Sequence, residues 1–467
     1  MTEYDVVVLG SGSGSHIVTR ALKEGMSVGW IDEGPLGGTC MNVGCIPSKM
    51  LIHVADRVME IREAGRLGVM ADISAIDFVS VMIAMREVVA RRQNTLLEAI
   101  KSWDNLTFYR ERARFTGERT LKVGEEEEIR GGKVFVATGA RPLVPPIEGM
   151  EDIDYITNES VLDLESPPRS TVVIGGGYIG TEYAHFLSAM GAEVTLLQRE
   201  PSLVPAEDEQ VSELLESRLK ERMDVRTSTT VTGVRQSGNG YVVAAEGEGD
   251  GELEFFAESV FLAAGRRSNA DRLDAESGGI ELDDAGYIAV NGKLETSADR
   301  VWAFGDAIGK AMFTHAANRE SVIAWHNSTS EDQVEMDYAG VPHAVFSWPQ
   351  VAAVGITERE ARESGRDYLV GVASYSDVAK GEATRERDAF AKAIVDAESR
   401  RILGFHIVGP EAPVLIQEVV NAVTAGQDVG DVTSSMHIHP ALSELVTAAL
   451  HRVAKPSRGE GEEGGAY

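Results

Sequence analysis

A pattern that occurs twice in the chain constrains its fold more than any other feature. The apolar run 6–9 leads into the glycine-rich segment 10–15, a helix, and a strand that ends at Asp32. The run 171–174 leads in the same way into the segment 175–180, a helix and the strand 193–197. A strand, a glycine-rich turn, a helix and a second strand form a dinucleotide-binding unit. Two such units predict two bound dinucleotides.

The first turn contains Gly10, Gly12 and Gly14, and Ser15 occupies the third fingerprint position, where glycine is usual. Glycines allow the backbone to approach a pyrophosphate at a helix N-terminus. An acid about twenty residues further on typically binds ribose hydroxyls. Asp32 is therefore predicted to bind the ribose of the first dinucleotide.

The second turn has all three fingerprint glycines, which are Gly175, Gly177 and Gly180. The strand that follows ends in Gln198 and Arg199 rather than in an acid. An acid there would suit the free ribose of NADH, whereas a nearby arginine suits the 2′-phosphate of NADPH. The pattern favours NADPH, although Glu200 follows the arginine directly.

The only two cysteines, Cys40 and Cys45, lie in the segment 37–49. A disulfide between them would close a very small ring, and such a ring contributes little to the stability of a fold. The pair is therefore interpreted as a redox dithiol. Beside two dinucleotide sites, a dithiol indicates electron transfer from a nicotinamide through a flavin to a disulfide.

Such a reaction needs a base, and His439 near the end of the chain is the candidate. Glu444 follows five residues later and can orient the imidazole. His437 and His439 could instead bind a metal, but no cysteine or third histidine lies nearby. No metal site is predicted.

Further strands and turns complete the predicted architecture. The strand 134–136 enters an Ala-Thr-Gly turn with Thr138 and Gly139, and the strand 260–262 enters a similar turn with Gly265. Asp306 follows a buried strand and a glycine, so it can reach a chain of sugar-like hydroxyls, cap a helix, or do both. Residues 341–453 mix strands and helices without a nucleotide turn, which predicts a separate domain.

Composition limits the partners and the location of the protein. The net charge is −30, from 74 acidic and 44 basic residues, which argues against nucleic acid as a partner. A solvated acidic surface of this kind suits a halophilic cytoplasm, and an ordinary acidic protein is the alternative. No apolar run reaches membrane-spanning length and the N-terminus does not resemble a signal peptide, so a cytoplasmic location without membrane partners is expected.

Together, the segment 37–49, the two glycine-rich units, the Ala-Thr-Gly turn, the Gly305–Asp306 pair and the His439–Glu444 segment resemble the flavin-dependent pyridine nucleotide-disulfide oxidoreductases. The resemblance implies an α/β fold with two Rossmann-like dinucleotide-binding domains and a C-terminal α+β dimerisation domain. The implied parts are an FAD-binding domain at 1–145 and 267–335, an NAD(P)-binding domain at 146–266, an interface domain at 336–455, and a disordered acidic tail at 456–467.

The same resemblance implies roles for individual residues. Cys40 matches the cysteine that attacks the substrate, and Cys45 matches the charge-transfer thiolate beside the flavin. Lys49 and Glu182 match an ion pair at the flavin, and Tyr178 matches the ring that covers the nicotinamide pocket. In the homodimer of this family, His439 and Glu444 would serve the partner's active site. The residues implied for FAD or NADPH binding are Gly10, Gly12, Gly14, Ser15, Asp32, Thr39, Thr138, Gly139, Gly175, Gly177, Tyr178, Gly180, Arg199, Gly265, Gly305 and Asp306.

The chain lacks the extra cysteine pair of mercuric reductase and of some thioredoxin reductases. Its Gly-Ser-Gly-Ser-Gly turn and the segment 375–381 resemble mycothione reductase and its relatives, and this resemblance implies a low-molecular-weight thiol disulfide as the substrate. In a halophile, bis-γ-glutamylcystine is the first candidate. Arg20 falls where glutathione reductase places a substrate-binding arginine, and Arg92 could also bind an acidic disulfide. Pro205, where NADPH-using relatives often carry a second arginine, weakens the NADPH prediction.

Two alternatives remain open. The block from His439 to Glu444 also resembles dihydrolipoamide dehydrogenase, the NAD-linked component of 2-oxoacid dehydrogenase complexes. A non-catalytic nucleotide-binding redox sensor is the alternative from another class of protein.

Overall fold

A computed structural model describes residues 1–249, 251–386 and 388–456. The predicted acidic tail lies outside the described residues from 457 onward. The strands are β1 Thr2–Leu9, β2 Val28–Ile31, β3 Leu106–Tyr109, β4 Ala113–Gly117, β5 Thr120–Val123, β6 Glu127–Val136, β7 Ala140–Pro142, β8 Ser170–Ile174, β9 Glu193–Leu197, β10 Asp224–Arg226, β11 Thr229–Ser237, β12 Gly240–Gly247, β13 Gly251–Ala257, β14 Ser259–Leu262, β15 Arg266–Ser268, β16 Val301–Ala303, β17 His343–Val345, β18 Val351–Gly355, β19 Tyr368–Ser374, β20 Phe390–Asp396 and β21 Ile402–Val408.

The helices follow the same chain order. They are α1 Gly14–Lys23, α2 Gly38–Asn42, α3 Cys45–Glu63, α4 Phe78–Ile100, α5 Tyr178–Ala189, α6 Glu209–Lys220, α7 Thr314–Thr329, α8 Glu358–Glu363, α9 Ala379–Thr384, α10 Ala412–Thr424, α11 Val429–Thr433 and α12 Glu444–His451. None of the helices in the described part of the chain is both long enough and apolar enough to cross a membrane.

The chain forms two compact units. The first comprises Met1–Val58, Ser74–Arg199 and Thr229–Tyr338, and the second comprises Met59–Ile73, Glu200–Ser228 and the chain from Ala339 onward.

The first unit contains both dinucleotide-binding patterns. In one, the parallel strands β3, β2, β1 and β6 lie side by side, and β16 adds to β6. In the other, β9, β8 and β14 are neighbouring parallel strands. The apolar runs 6–9 and 171–174 are buried along their lengths, as expected for parallel strands covered on both faces. Both glycine-rich turns therefore stand at the carboxyl end of a central strand.

The second unit is built on an antiparallel sheet in the order β17, β18, β21, β20, β19. Helices α10 and α12 contribute apolar residues such as Ile416, Val419 and Leu445 to its core, where Phe405 and Ile407 come from the sheet. A sheet with helices packed on it is an α+β arrangement. The predicted fold class is confirmed.

Candidate active site

The redox segment joins two helices, and each carries one cysteine. Cys40 lies in the short helix α2, and Cys45 is the first residue of α3. Gly37 precedes α2 with φ of +101°, in the left-handed region that favours glycine. A side chain on Gly44 would place its Cβ 2.9 Å from the carbonyl oxygen of Thr39. Both thiols are free, so the structure shows the reduced state of the pair.

The environment assigns different protonation states to the two thiols. A hydrogen bond from the Cys40 thiol lowers the pKa of Cys45 to about 6; burial opposes this shift, while Thr314 and the charge of Lys49 support it. The same bond, together with burial, raises the pKa of Cys40. Thr314 Oγ1 lies 3.5 Å from Cys45 Sγ. At neutral pH, Cys45 is therefore the thiolate and Cys40 the thiol.

Polar side chains from distant segments hold the loop between the cysteines. The Asn42 amide donates to the carbonyl oxygens of Pro35, Leu36 and Gly38 at 2.8–3.1 Å, and its own oxygen accepts from Gln93 at 2.6 Å. The Asn158 amide donates to the carbonyl oxygen of Val43 at 2.9 Å. Sequence reasoning missed Gln93 and Asn158, because hydrogen bonds between residues 51 and 115 positions apart leave no local pattern.

The first glycine-rich turn packs on the redox segment. Gly10 has φ of +99°, and a Cβ there would lie 2.1 Å from the carbonyl oxygen of Ala137. The Ser11 hydroxyl accepts a hydrogen bond from the Gly37 N–H at 2.9 Å. A Cβ on Gly38 would come within 2.8 Å of Gly12 Cα. The turn and the dithiol are therefore parts of one site.

Asp32 is fixed at the end of β2 by the backbone. Its two oxygens accept the N–H groups of Ser11 at 2.7 Å and Gly34 at 2.8 Å. The Ser15 hydroxyl donates to the carbonyl oxygen of Gly12 at 2.8 Å, so this turn accommodates a side chain at the third fingerprint position. Gly14 is buried, and a Cβ there would lie 2.9 Å from Val8 Cγ1.

A cavity of about 620 Å³ connects the first turn with the dithiol, within the range of about 300–1,000 Å³ usual for cofactor sites. It brings together ten of the predicted residues, which are Gly10, Gly12, Asp32, Thr39, Cys40, Cys45, Thr138, Gly139, Gly305 and Asp306. Arg92 also lines it, as does His16, which sequence reasoning missed. Arg20 lies one helical turn beyond His16 on α1 and is not among the lining residues.

The cavity fits FAD. Gly10 and Gly12 line it, so a pyrophosphate could approach the backbone there, and Asp32, the residue that the fingerprint assigns to a ribose, lines it too. The buried Thr138 hydroxyl has no hydrogen-bond partner within the described structure, so it is available to a ligand. Burial raises the pKa of Asp306, and Arg266 Nε lies 3.6 Å from its carboxylate.

The second turn repeats the geometry of the first. Gly175 has φ of +108°, and a Cβ there would lie 2.3 Å from the carbonyl oxygen of Ala263, which follows β14 as Ala137 follows β6. Gly180 allows no side chain, because a Cβ would lie 1.8 Å from the carbonyl oxygen of Gly175. Gly177 directly precedes α5.

The residue after β9 is Gln198, a neutral residue at the position where the first glycine-rich pattern has the acid Asp32. Gln198 Oε1 accepts a hydrogen bond from the Gly176 N–H at 3.0 Å, just as Asp32 accepts one from the Ser11 N–H at the first glycine-rich turn. Gln198 is therefore the structural counterpart of Asp32. The next residue, Arg199, is exposed.

The predicted ion pair of Lys49 and Glu182 and the predicted ring of Tyr178 lie on α3, which begins at Cys45, and on α5, which begins after the second glycine-rich turn. Lys49 Nζ is 2.6 Å from Glu182 Oε2, which joins α3 to α5, and Glu182 is nearly buried. The ring of Tyr178, the first residue of α5, stacks on Phe313 with centroids 6.0 Å apart. Gly265 adopts φ of +126° after β14.

The candidate base lies in the second unit. His439 Nδ1 is 2.8 Å from Glu444 Oε1, and Glu444 Oε2 accepts the Ala441 N–H at 3.1 Å. The bond to His439 lowers the pKa of Glu444. The His439 side chain is 71% exposed, and its neighbours Met436 and Ile438 are also exposed. Because Nδ1 is engaged, Nε2 is the ring nitrogen that can exchange a proton with a substrate.

Comparisons with known proteins agree with this geometry. Residues 4–321 match the family model described as pyridine nucleotide-disulphide oxidoreductase, and residues 341–450 match the dimerisation domain of the same family. Mycothione reductase of Mycobacterium tuberculosis is 34% identical over 464 residues, covering 96% of this chain and 99% of that protein. Dihydrolipoyl dehydrogenase of Haloferax volcanii is 31% identical over 457 residues, covering 96% of each chain. The HOCl-induced flavoprotein disulfide reductase RclA of Escherichia coli has a similar structure, with a TM-score of 0.86 at 28% identity over 96% of this chain and 99% of that chain.

Proposed function

The chain belongs to the pyridine nucleotide-disulphide oxidoreductases, enzymes that use FAD and NAD(P)H, and from this premise we propose that it uses NADPH to reduce an acidic low-molecular-weight thiol disulfide. The first candidate substrate is bis-γ-glutamylcystine, which carries several carboxylates. The observation that carries the proposal is the cavity that Cys40 shares with the exposed side chains of Arg92 and His16. These two side chains offer cationic or hydrogen-bonding partners to carboxylates in an otherwise strongly acidic protein.

The choice of NADPH is supported by the end of β9. Gln198 replaces the carboxylate that would repel a 2′-phosphate, and Arg199 next to it is exposed and can pair with that phosphate. Pro205 offers no second cation, so the preference should depend mainly on this pair.

The cofactor is FAD, and bound FAD supplies the two-electron link between the nicotinamide and the cysteine pair. We infer that the residues lining the cavity hold it, with the glycines of the first turn at the pyrophosphate and Asp32 at the ribose. Lys49, fixed by Glu182, supplies positive charge beside the dithiol.

The chemistry of the substrate half-reaction follows from the two thiols. Cys40, deprotonated by His439 of the partner subunit, attacks one sulfur of the substrate disulfide; the S–S bond breaks, and the leaving thiolate takes the proton from that histidine. The Cys45 thiolate then attacks the Cys40 sulfur of the mixed disulfide. This closes the Cys40–Cys45 disulfide and releases the second thiol, which takes a proton from solvent.

The dimerisation domain supports a homodimer. We propose that His439 reaches the partner's Cys40, because the exposed apolar side chains of Met436 and Ile438 flank it and would be covered in such a dimer. The FAD-binding, NAD(P)-binding and interface domains predicted at 1–145 with 267–335, 146–266 and 336–455 belong to this proposal. So does the cytoplasmic location.

The second candidate is dihydrolipoamide dehydrogenase running in the opposite direction with NAD. It is favoured by the likeness to dihydrolipoyl dehydrogenases, which reaches 33% identity for that of Thermus scotoductus over 97% of this chain. The non-catalytic sensor loses support, because the relatives are enzymes.

The test is a set of steady-state assays of the purified FAD enzyme at low and molar salt, with NADPH and NADH and several disulfides. We expect bis-γ-glutamylcystine to be reduced with NADPH at the highest kcat/KM, ahead of glutathione disulfide and of an uncharged disulfide such as hydroxyethyl disulfide. Rapid NAD-linked oxidation of dihydrolipoamide without reduction of any of these disulfides would refute the proposal and establish the second candidate.

A matched pair of arginines tests the substrate site. Arg92→Leu should raise KM for the acidic disulfide about tenfold, the loss of one charged hydrogen bond, and should leave KM for the uncharged disulfide unchanged. Arg91→Leu is the control, because Arg91 does not line the cavity of Cys40. Equal KM values for all three proteins would remove Arg92 from the substrate site.

A further inference from the structure

A buried carboxylate on α7 binds the turn that carries Asp306. Glu320 Oε2 accepts a hydrogen bond from the Gly305 N–H at 2.6 Å, and Glu320 Oε1 accepts one from the Tyr338 hydroxyl at 2.9 Å. Glu320 is only 1% exposed. It does not line the cavity described above, whereas Gly305 and Asp306 do. Glu320 therefore lies behind the cavity wall, and the reaction proposed above gives it no task.

The turn depends on this bond at the end nearest to Asp306. After β16, residues Gly305–Ile308 form a single helical turn, which Gly305 begins with φ of +72°. At the other end, the Ala307 carbonyl oxygen accepts a hydrogen bond from the Ser268 hydroxyl at 3.0 Å. The first N–H groups of a helical turn have no acceptor within it, so the acceptor for Gly305 must come from another segment. The carboxylate on α7 is that acceptor, and Asp306 is the next residue of the chain.

The two hydrogen bonds also hold the carboxylate itself. Burial raises the pKa of Glu320, the bonds from Gly305 and Tyr338 lower it, and the nearby charge of Asp306 raises it. A buried charge is costly unless it is paired or hydrogen-bonded, so both donors stabilise it. Because hydrogen bonds are directional, two bonds on its two oxygens keep the carboxylate in one orientation. The Gly305 N–H is thereby held in one position as well.

Other side chains of α7 belong to the cavity. Thr314, Ala317 and Asn318 line it, and the Asn318 side-chain oxygen accepts a hydrogen bond at 2.8 Å from the hydroxyl of Ser13 in the first glycine-rich turn. Side chains of this one helix therefore bind two turns that border the cavity. The turn of Asp306 is set relative to the glycine-rich turn, so a dinucleotide that spans both meets them at a fixed spacing.

We propose that Glu320 is a positioning residue for FAD, whose hydrogen bond to Gly305 keeps the Asp306 carboxylate directed into the cavity, where it accepts hydrogen bonds from FAD hydroxyls. The inference rests on the proposed function in taking this cavity as the FAD site. It makes the affinity for the cofactor depend on a side chain that does not touch the cofactor.

The test measures FAD affinity rather than turnover. The purified FAD enzyme is diluted in steps, and the released FAD is quantified by its fluorescence, which gives the dissociation constant. Glu320→Leu removes the acceptor of the Gly305 N–H. We expect the dissociation constant of FAD to rise about tenfold, as for the loss of a hydrogen bond to a charged group.

Two conservative variants separate the position of the carboxylate from its charge. Glu320→Gln keeps an oxygen for the Gly305 N–H and an N–H group that the Tyr338 hydroxyl can accept, so the dissociation constant should stay within about twofold of the wild type. Glu320→Asp keeps the charge and withdraws the carboxylate by about 1.5 Å, the length of one carbon–carbon bond, so affinity should fall about fivefold. Weaker FAD binding in Glu320→Gln than in Glu320→Asp would overturn the proposal, because charge rather than position would then matter.

A variant on the same helix separates positioning from stability. Asn327 follows Glu320 by seven residues on α7 and is 5% exposed. Its side-chain amide donates to the carbonyl oxygens of Lys293 and Val334 at 3.0 and 2.8 Å, and it does not line the cavity. Asn327→Leu should lower the melting temperature and leave the dissociation constant of FAD unchanged. Equal losses of FAD affinity in Asn327→Leu and Glu320→Leu would mean that general loosening of α7 is the cause, and would refute the assignment.

Glu320→Asp also covers the case in which Glu320→Leu does not fold, because it buries the same charge in the same place. Wild-type FAD affinity in Glu320→Asp would show that the bond to Gly305 does not control FAD binding. The titration needs neither coenzyme nor disulfide. A wild-type enzyme that binds FAD but does not reduce bis-γ-glutamylcystine would therefore refute the proposed function and leave this comparison valid.

Discussion

The two dinucleotide-binding turns share a backbone and differ in their side chains. In both, the first glycine has a positive φ and lies against the carbonyl oxygen of an alanine at the end of a neighbouring strand, Ala137 or Ala263. In both, a side chain after the second strand accepts the N–H that follows this glycine. That side chain is Asp32 in the first turn and Gln198 in the second. The two turns thus share one backbone geometry for binding a pyrophosphate, and single side chains such as Asp32 and Gln198 differ between them.

The turns also differ in their surroundings. The first is bonded to the redox segment through Ser11 and Gly37, and it accepts Ser15 at the third fingerprint position. The second has no space for a side chain at Gly180. The first turn therefore accommodates a side chain at the third fingerprint position, and the second turn does not.

The largest expected effect comes from exchanging the third fingerprint residues. Gly180→Ser places a Cβ 1.8 Å from the carbonyl oxygen of Gly175, so the second turn must deform. We expect NADPH-dependent reduction to fall by more than about 100-fold while FAD, bound at the first turn, is retained and still reduced by dithionite.

Ser15→Gly is the matched control, because it removes only the bond to the Gly12 carbonyl oxygen. Its activity should stay within about twofold of the wild type, as for the loss of one partly exposed hydrogen bond. Comparable losses in the two variants would show that the turns are equally constrained.

The next largest effect concerns the side chain after β9. Gln198→Glu gives the second turn the carboxylate that the first has in Asp32, and a carboxylate repels a 2′-phosphate and binds free ribose hydroxyls. The ratio of kcat/KM for NADPH to that for NADH should fall about 30-fold, or about 2 kcal/mol. Gln198→Asn, which adds no charge, is the control. An equal fall of the NADPH-to-NADH ratio in this variant would mean that the size of the side chain, and not its charge, causes the effect.

Replacing the carboxylate by an amide in the first turn should have a smaller effect on dinucleotide binding. Asp32→Asn keeps an acceptor for the Ser11 N–H, removes the charge and leaves the Gly34 N–H without its side-chain acceptor. The dissociation constant of FAD should rise about tenfold, measured by flavin fluorescence during titration of the apoenzyme, because a hydrogen bond to a charged group is lost. Asp104→Asn, at an exposed acid that does not line the cavity, should leave it unchanged. FAD affinity unaltered in Asp32→Asn would place the ribose elsewhere.

The smallest effect is a pH dependence confined to the first turn, where the dithiol lies. Because the Cys40 hydrogen bond lowers the pKa of Cys45 to about 6, its thiolate is present above that pH and is lost as the pH falls through it. The long-wavelength thiolate-to-flavin absorbance of the reduced enzyme should therefore drop about twofold between pH 7 and 6. NADPH binding at the second turn should change less over this interval. Absorbance constant down to pH 5 would contradict the titration of Cys45.

Much of the site could be predicted from short segments of sequence. The segment 37–49, the two turns and the pair of His439 and Glu444 are local patterns, since each requires residues only a few positions apart. The correspondence between Gln198 and Asp32 could be predicted only in part. The sequence shows a glutamine at the end of the strand, but it does not show that this glutamine accepts a hydrogen bond from the Gly176 N–H. The hydrogen bond between Gln93 and Asn42 joins residues 51 positions apart, and no local sequence pattern predicts it.

The sequence alone determined the fold class, the two glycine-rich turns and the redox-active dithiol, because backbone conformation and thiol spacing depend on neighbouring residues. Only the tertiary structure decided how the Cys40 hydrogen bond lowers the pKa of Cys45, which polar atoms border the cavity, and that Asp56 meets His185 near the Lys49–Glu182 pair. The physical reason is that these properties arise from burial, charge and hydrogen bonds between segments that packing alone brings together.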